Sequence, residues 1–226
     1  MSFKRQDLPL SWPIGNELTK HLIGIGIRLA GDVPTTMPNI EDTLVAGSIE
    51  GLAGDTRTLS LIVDWITIHY ECLNVDRLFR VLKRERNNNN LIAFWSSIGK
   101  MHKKDSRFLK ISKLYRGPKL SVLGPQTDFL IKRNGEDDRF VGTSVRIPAK
   151  ALRHRPEDIE TPCSMAQKHR GYYYRILVGA SYRADILALL EQNASVSISS
   201  LAAAAYSSFK TAWDAKKDWE LIHKTA

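Results

Sequence analysis

The sequence predicts a mainly α-helical protein with a helical N-terminal region, a small β-hairpin and a C-terminal helix-turn-helix. Three observations carry that expectation. Apolar residues recur at spacings of three and four in segments such as "VDRLFRVLKRER" and "ADILALLEQ". Glycines and prolines gather at "GDVPTTMPN" and "RGPKLSVLGPQ", where helical runs stop. Asn134-Gly135, between "TDFLI" and "DDRFVGTSVRIP", is the dipeptide that supplies the positive φ values of a tight reversal.

Taken in order, "NELTKHLIGIGIRLA" has helical spacing and ends at the Gly31–Pro38 breakers. "NIEDTLVAGSIEGLA" opens with Asn39 or Thr43 as a cap and has carboxylates in its first turn, where they complement the helix dipole. "DTRTLSLIVDWITIHYECL" is the most apolar helix, with strand as its competitor because of its β-branched residues. Asn74 caps the next helix, whose apolar face is Val75, Leu78, Phe79 and Leu82, leaving Arg77, Arg80, Lys83 and Arg84 outside the stripe. Asn87 to Asn90 reads as a loop, and "LIAFWSSIGKMHKKDSRFLKISKLY" as two short helices broken near Asp105. The hairpin follows, then a connector punctuated by Pro148, Pro156 and Pro162. "SMAQKHRGYYYRILVGA" and "SYRADILALLEQ" return to helix. The expected units are 1–120, helical with a basic stretch at 77–119; 121–160, hairpin and Pro-rich connector; and 161–226, helix-turn-helix.

A chain of 226 residues suffices for one generous core or two small ones. No apolar run approaches the ~18 residues that cross a bilayer, and no secretory leader is recognisable, so the expectation is a cytoplasmic protein without a membrane partner. Cys72 and Cys163 lie far apart, without a CxxC pattern, and read as reduced, partly buried thiols. The net charge is +9, and it is unevenly spread: residues 1–76 carry −5, 77–119 carry +11, 120–159 carry +1 and 160–226 carry +2. A block this basic faces an anion, a nucleic acid first among them. Phe94, Trp95, Phe108 and Tyr115 interleave with its cations; stacking on single-stranded bases is one use for them, and burial in a core is the commoner one.

In the last quarter, Ser197 or Ser199 can cap "SSLAAAAY", whose alanines let another helix approach closely. Ser207-Ser208 then turns the chain and caps "FKTAWDAKKDWELI", with Ala212, Ala215, Trp219 and Ile222 as its inward row. A short helix, a tight polar turn and a longer crossing helix describe a helix-turn-helix. Residues 174–222 resemble the winged helix-turn-helix domains of bacterial regulators. By that resemblance Leu201-Ala202 stand at the family's "LA" position, and Ser208, Lys210 and Thr211 stand where its recognition helix meets DNA. Two features depart from the family: Tyr206 occupies a turn position where glycine is common, and the four residues after Ile222 are fewer than a hairpin wing takes.

The residues expected at DNA are therefore Ser207, Ser208, Lys210, Thr211, Lys217 and Arg183 in the C-terminal unit. In the basic block they are Arg84, Arg86, Lys100, Lys103, Lys104 and Arg107, which fall on or beside loops and helix ends. Chemistry is not expected. "LVGASYRAD" has the Gly-Ser of nucleotidyltransferases but continues as helix. "DAK" at Asp214–Lys216 has nuclease letters on a helix, and Asp128 has no carboxylate beside it in sequence. The six histidines form no metal-ligand spacing, and "GIGIRLAG" lacks the lysine of a phosphate loop. No metal and no cofactor is expected. The resulting expectation is a non-catalytic double-stranded DNA-binding protein, a regulator or the DNA-binding accessory of a larger, defence-type bacterial system. A homodimer fits this reading, because such readers bind two half-sites. A protein-interaction adaptor subunit is the second reading and a metal-dependent nuclease the third.

Overall fold

The computed structural model describes Arg5 and residues 8–223. It is mainly helical, with a two-stranded parallel pair. The N-terminal body contains α1 (Gly15–Gly24), α2 (Ile40–Ala53), α3 (Thr56–His69), α4 (Val75–Arg84), α5 (Asn89–Met101) and α6 (Leu109–Ser112). Next come β1 (Leu120–Ser121), α7 (Thr127–Asn134) and β2 (Val145–Arg146), then α8 (Pro162–Lys168) and α9 (Arg170–Val178). The C-terminal unit is α10 (Tyr182–Gln192), α11 (Ile198–Ala204) and α12 (Phe209–His223). No helix among the described residues is long and apolar enough to cross a membrane.

Side-chain caps set several boundaries. Asn39, Asp55, Asn74 and Asn88 each accept a hydrogen bond from the backbone N–H three residues on, opening α2, α3, α4 and α5. Asn89 and Asn90 already belong to α5, so the asparagine run read as a loop is half helix. α1 stops at Gly24 rather than running on to Ala30. Gly26 takes a positive φ, and Ile27 leaves the helix to form an antiparallel bridge with Ile159.

α2 is enclosed on every side from Ile40 to Ser48, and it crosses α3 closely where Gly51 meets Leu59. A Cβ on Gly51 would lie 2.7 Å from the Cβ of Leu59, so the contact needs glycine. Trp65 and Trp95 anchor the core around it, and the Trp65 indole donates to the Ile25 carbonyl at 2.7 Å.

The expected hairpin at Asn134-Gly135 is absent. Residues 127–134 form α7, with Asp128 in its first turn and Lys132 and Arg133 in its last, where each complements the dipole. Gly135, at φ 83°, ends that helix instead of turning a hairpin. What strand there is runs in parallel, Leu120 opposite Val145 and Ser121 opposite Arg146, and a single antiparallel bridge joins Glu136 to Pro148.

One apolar core runs from Leu18 to Tyr172 and takes in Val122, Phe140, Val145, Ile147 and Leu152 from the middle of the chain. A second, smaller core holds α10 to α12 together through Ile186, Leu190, Leu201, Ala202, Ala205, Ala212 and Ala215. A polar junction joins the two cores. The Arg175 guanidinium donates to both Glu41 oxygens at 2.7 and 2.9 Å, to both Asp185 oxygens at 2.9 and 3.1 Å, and to the Cys72 carbonyl at 3.1 Å. Glu41 is fully enclosed and also accepts the Asn74 N–H. One arginine thus bonds α2, the turn before α4, and α10. Burial works against its charge, and the Asp185 and Glu41 carboxylates more than restore it.

Arg175→Ala would leave the enclosed Glu41 carboxyl without its counter-charge and without two of its hydrogen bonds. Its expected cost is ~3–5 kcal/mol, measured as a lower urea midpoint; a loss below about 1 kcal/mol contradicts this account.

Candidate nucleic-acid interface

The helix-turn-helix forms as its residue pattern implies. Ser197 accepts the Ser200 N–H and opens α11. At the other end the Ser207 N–H donates to the Ala202 carbonyl at 2.8 Å and the Tyr206 N–H to the Ala203 carbonyl at 3.1 Å. That pair of bonds is a Schellman closure, and it places Tyr206 in the left-handed region at φ 52°. Ser208 then accepts the Thr211 N–H at 3.1 Å and starts α12.

A tyrosine in that conformation costs roughly 1–2 kcal/mol relative to glycine, and its side chain supplies the compensation. The Arg77 guanidinium lies 3.6 Å from the centre of the Tyr206 ring, and the Tyr206 hydroxyl hydrogen-bonds the Asp42 carboxylate. Arg77 also donates to Asp42 at 2.5 Å. The turn between the two helices is therefore riveted to α2 and α4 of the body. Arg77, read as lying outside the apolar stripe of α4, is 1% exposed. The readable signal was Asp42: a carboxylate on the most enclosed helix requires a cation.

On α12, Ala212 and Ala215 are fully buried and Trp219 packs on them, as the inward row requires. Ile222 does not join that row; it is 75% exposed near the end of the helix, beyond the reach of α10 and α11. The outward stripe at four-residue spacing is Phe209, Trp213 and Lys217, with the Lys217 ammonium 5.4 Å from the Trp213 ring centre.

The residues expected at DNA fall into separate groups. Lys210 stands out from the first turn of α12 and pairs with Asp214 at 3.0 Å. Ser208 and Thr211 are half-buried, joined by their hydroxyls, and serve the cap. Ser207 is fully buried, its hydroxyl donating to the Ser208 carbonyl, so it has no surface to offer a groove. Arg183 pairs with Asp218 at 2.8 Å, bracing α10 against α12. With Lys210, Lys216 and Lys217 against Asp214, Asp218 and Glu220, α12 carries no net charge before His223.

The basic block also divides. Arg84 and Arg86 line a cleft between α4, α6 and the start of α10. Lys103 and Lys104 are exposed in the turn after α5. Lys100 instead donates to the Ser144 hydroxyl at 2.9 Å, on the side of α5 that faces β2. Arg107 is a structural tie: it forks onto Asp105 and also donates to the carbonyls of Tyr70, Glu71 and Leu73. Phe94, Trp95 and Phe108 are completely buried and Tyr115 donates to the Pro118 carbonyl, so the aromatics of this block are framework. Cys163 is exposed, whereas Cys72 is buried. Among the described residues no three His, Cys, Asp or Glu side chains gather as metal ligands.

Comparison with family models, with characterised proteins and with solved structures finds no match to this chain.

Two measurements address the rivet. Tyr206→Phe keeps the ring against Arg77 and removes the hydroxyl from a buried carboxylate; the expected loss of stability is ~1–2 kcal/mol in a urea titration, and no loss would mean that the hydroxyl does not hold Asp42. Burial pushes the Asp42 carboxyl up to about 6 despite Arg77 and the Tyr206 hydroxyl. The folded state therefore binds that proton more tightly than the unfolded chain, whose value lies near 3.8. The resulting stabilisation is full below about pH 4 and is lost as pH rises through 6. Asp42→Asn does not titrate, so from pH 4 to pH 7 the wild type should lose up to about 3 kcal/mol relative to the variant. A constant difference across that range would contradict the assignment.

Proposed function

We propose that this protein binds double-stranded DNA without altering it covalently, as a regulator or as the DNA-binding member of a larger system. The observation that carries the reading is the α11–turn–α12 unit, whose outer face stands clear of the body with Lys210, Trp213 and Lys217 on it. At 15 residues, α12 is roughly 22 Å long and suits a major groove about 12 Å wide. Asp214 and Asp218 are each neutralised by a neighbour within the unit, which lowers the repulsion that a phosphate backbone would meet. The cations at Arg84 and Arg86, with Lys103 and Lys104, supply sequence-independent attraction to phosphate. A homodimer on two half-sites fits the same reading.

A second reading has an observation of its own. Phe209 and Trp213 are 44% and 45% exposed on that outer face, as aromatic anchors for a protein partner would be. Titration of labelled duplex against salt separates the two. Binding whose logarithm falls steeply with the logarithm of salt supports DNA; no binding to any duplex at low salt removes it. Lys210→Glu should weaken binding by about tenfold or more while the melting temperature stays within a degree or two, because among the described residues the Lys210 ammonium meets Asp214 alone, in an exposed pair. Unchanged affinity would mean that α12 does not enter the groove.

A further inference from the structure

A cationic cleft of about 480 Å³ opens between the first turns of α3 and residues 150–155, lined by Thr56, Arg57, Ser60, Lys150, Arg153 and Arg155. None of the described residues on its wall carries a carboxylate. α2 spans 14 residues, roughly 21 Å, and the cleft stands at the far end of that helix from Asp42 and the Tyr206 turn.

The frame of the cleft is held by bonds that leave its charges outward. Arg57, Ser60 and Asp64 follow one another along one face of α3 at spacings of three and four. Residues 153–155 lie along that face. The Ser60 hydroxyl accepts the Arg153 N–H at 3.1 Å, and the enclosed Asp64 carboxylate accepts the Arg155 N–H at 2.6 Å and bonds the His154 ring at 2.7 Å. Arg139 donates to the Leu152 carbonyl at 2.8 Å. Asp158 meets Arg155 at 3.7 Å. Asp55, whose carboxylate accepts the Thr58 N–H and hydroxyl, lies near enough to Arg57 for their charges to interact. Among the described residues no carboxylate pairs with Lys150 or Arg153, and the Thr56 hydroxyl meets no partner. Four cations against two carboxylates leave an excess of two positive charges, gathered on a fixed frame at a cost in repulsion that an anion relieves. Lys150 contributes its ammonium from φ 66°, a left-handed conformation that glycine adopts without strain.

We propose that this cleft binds a phosphomonoester, through the dianionic terminal phosphate of a small molecule. Such a group carries roughly −1.5 to −2 at neutral pH and matches the excess charge, whereas a carboxylate or a backbone diester, with a single charge, does not. Arginine forks present paired N–H donors to its oxygens, and the Lys150 ammonium and Thr56 hydroxyl add single ones. Leu61 and Ala151 complete the wall and give an organic group an apolar side, in a space of small-molecule size.

The test uses the full chain in the absence of DNA, so its outcome is independent of whether α12 reads a duplex. Phenyl phosphate, inorganic phosphate and dimethyl phosphate are titrated by calorimetry at low salt. Saturable binding of the first two is expected, with the diester weaker by about tenfold or more. Arg57→Gln/Arg153→Gln should weaken phenyl phosphate by about tenfold or more, with circular dichroism showing the variant folded. Lys150→Gly should weaken it several-fold while the melting temperature holds or rises, because glycine eases the backbone there. No binding of either monoester probe at millimolar concentration overturns the proposal, as does unchanged affinity in Lys150→Gly and the double variant. So does a diester that binds as tightly as phenyl phosphate, with duplex displacing both, because the cleft would then serve a nucleic-acid backbone.

Discussion

The Arg175 guanidinium is the constraint on which the architecture depends. Two apolar cores, each adequate to its own helices, are tied to one another by a buried ionic contact. Arg175 spends its donors on Glu41, Asp185 and the Cys72 carbonyl, so α2, the turn before α4, α9 and α10 are fixed relative to one another by directional bonds. An apolar seam of the same area would permit the C-terminal unit to slide or rotate at little cost. Fork geometry does not, because a small rotation breaks several charged bonds at once in a dry environment. Burial raises the Asp185 carboxyl above its ordinary range even with Arg175 against it, which marks how much desolvation this junction tolerates.

A second buried arginine extends the same logic to the helix-turn-helix. Tyr206 occupies a backbone conformation that glycine would adopt without strain, and its side chain reaches Arg77 and Asp42 on the body. Glycine would give a freer turn with no anchor. The tyrosine exchanges local ease for a fixed direction of α12 with respect to α2 and α4. The local strain is thus offset by contacts that hold the turn, and α12 after it, in one orientation.

Much of the helical plan was legible because it is local. Caps at Asn39, Asn74 and Ser208 act within one turn, and the alanine seam of α11 and α12 follows from spacing alone. The misreadings share one cause. Asn134-Gly135 satisfies the rules of a hairpin turn and those of a helix end equally, and only the basic residues preceding it, Lys132 and Arg133, favour the second. Arg77 lies off the apolar stripe of α4, yet its partners Asp42 and Tyr206 are 35 and 129 positions away in the sequence, beyond any periodicity. Arg107 and Lys100 flank a helix end, as phosphate contacts do, and each also satisfies groups elsewhere on the body. A net charge of +11 over 77–119 is a property of composition, whereas the direction of each cation is a property of packing.

That distinction bears on where the protein's positive field acts. α12 is neutral along its length, so it contributes shape, hydrogen bonds and aromatic surface rather than long-range attraction. Exposed cations such as Lys103 and Lys104, in the turn after α5, project a field instead. Charge attraction reaches only about 8–10 Å at physiological salt, so distant cations can influence α12 only through nearby, rigidly held groups. The structure supplies such a connection: Arg77 lies one turn from Arg80 on α4 and grips the residue at the helix-turn-helix turn.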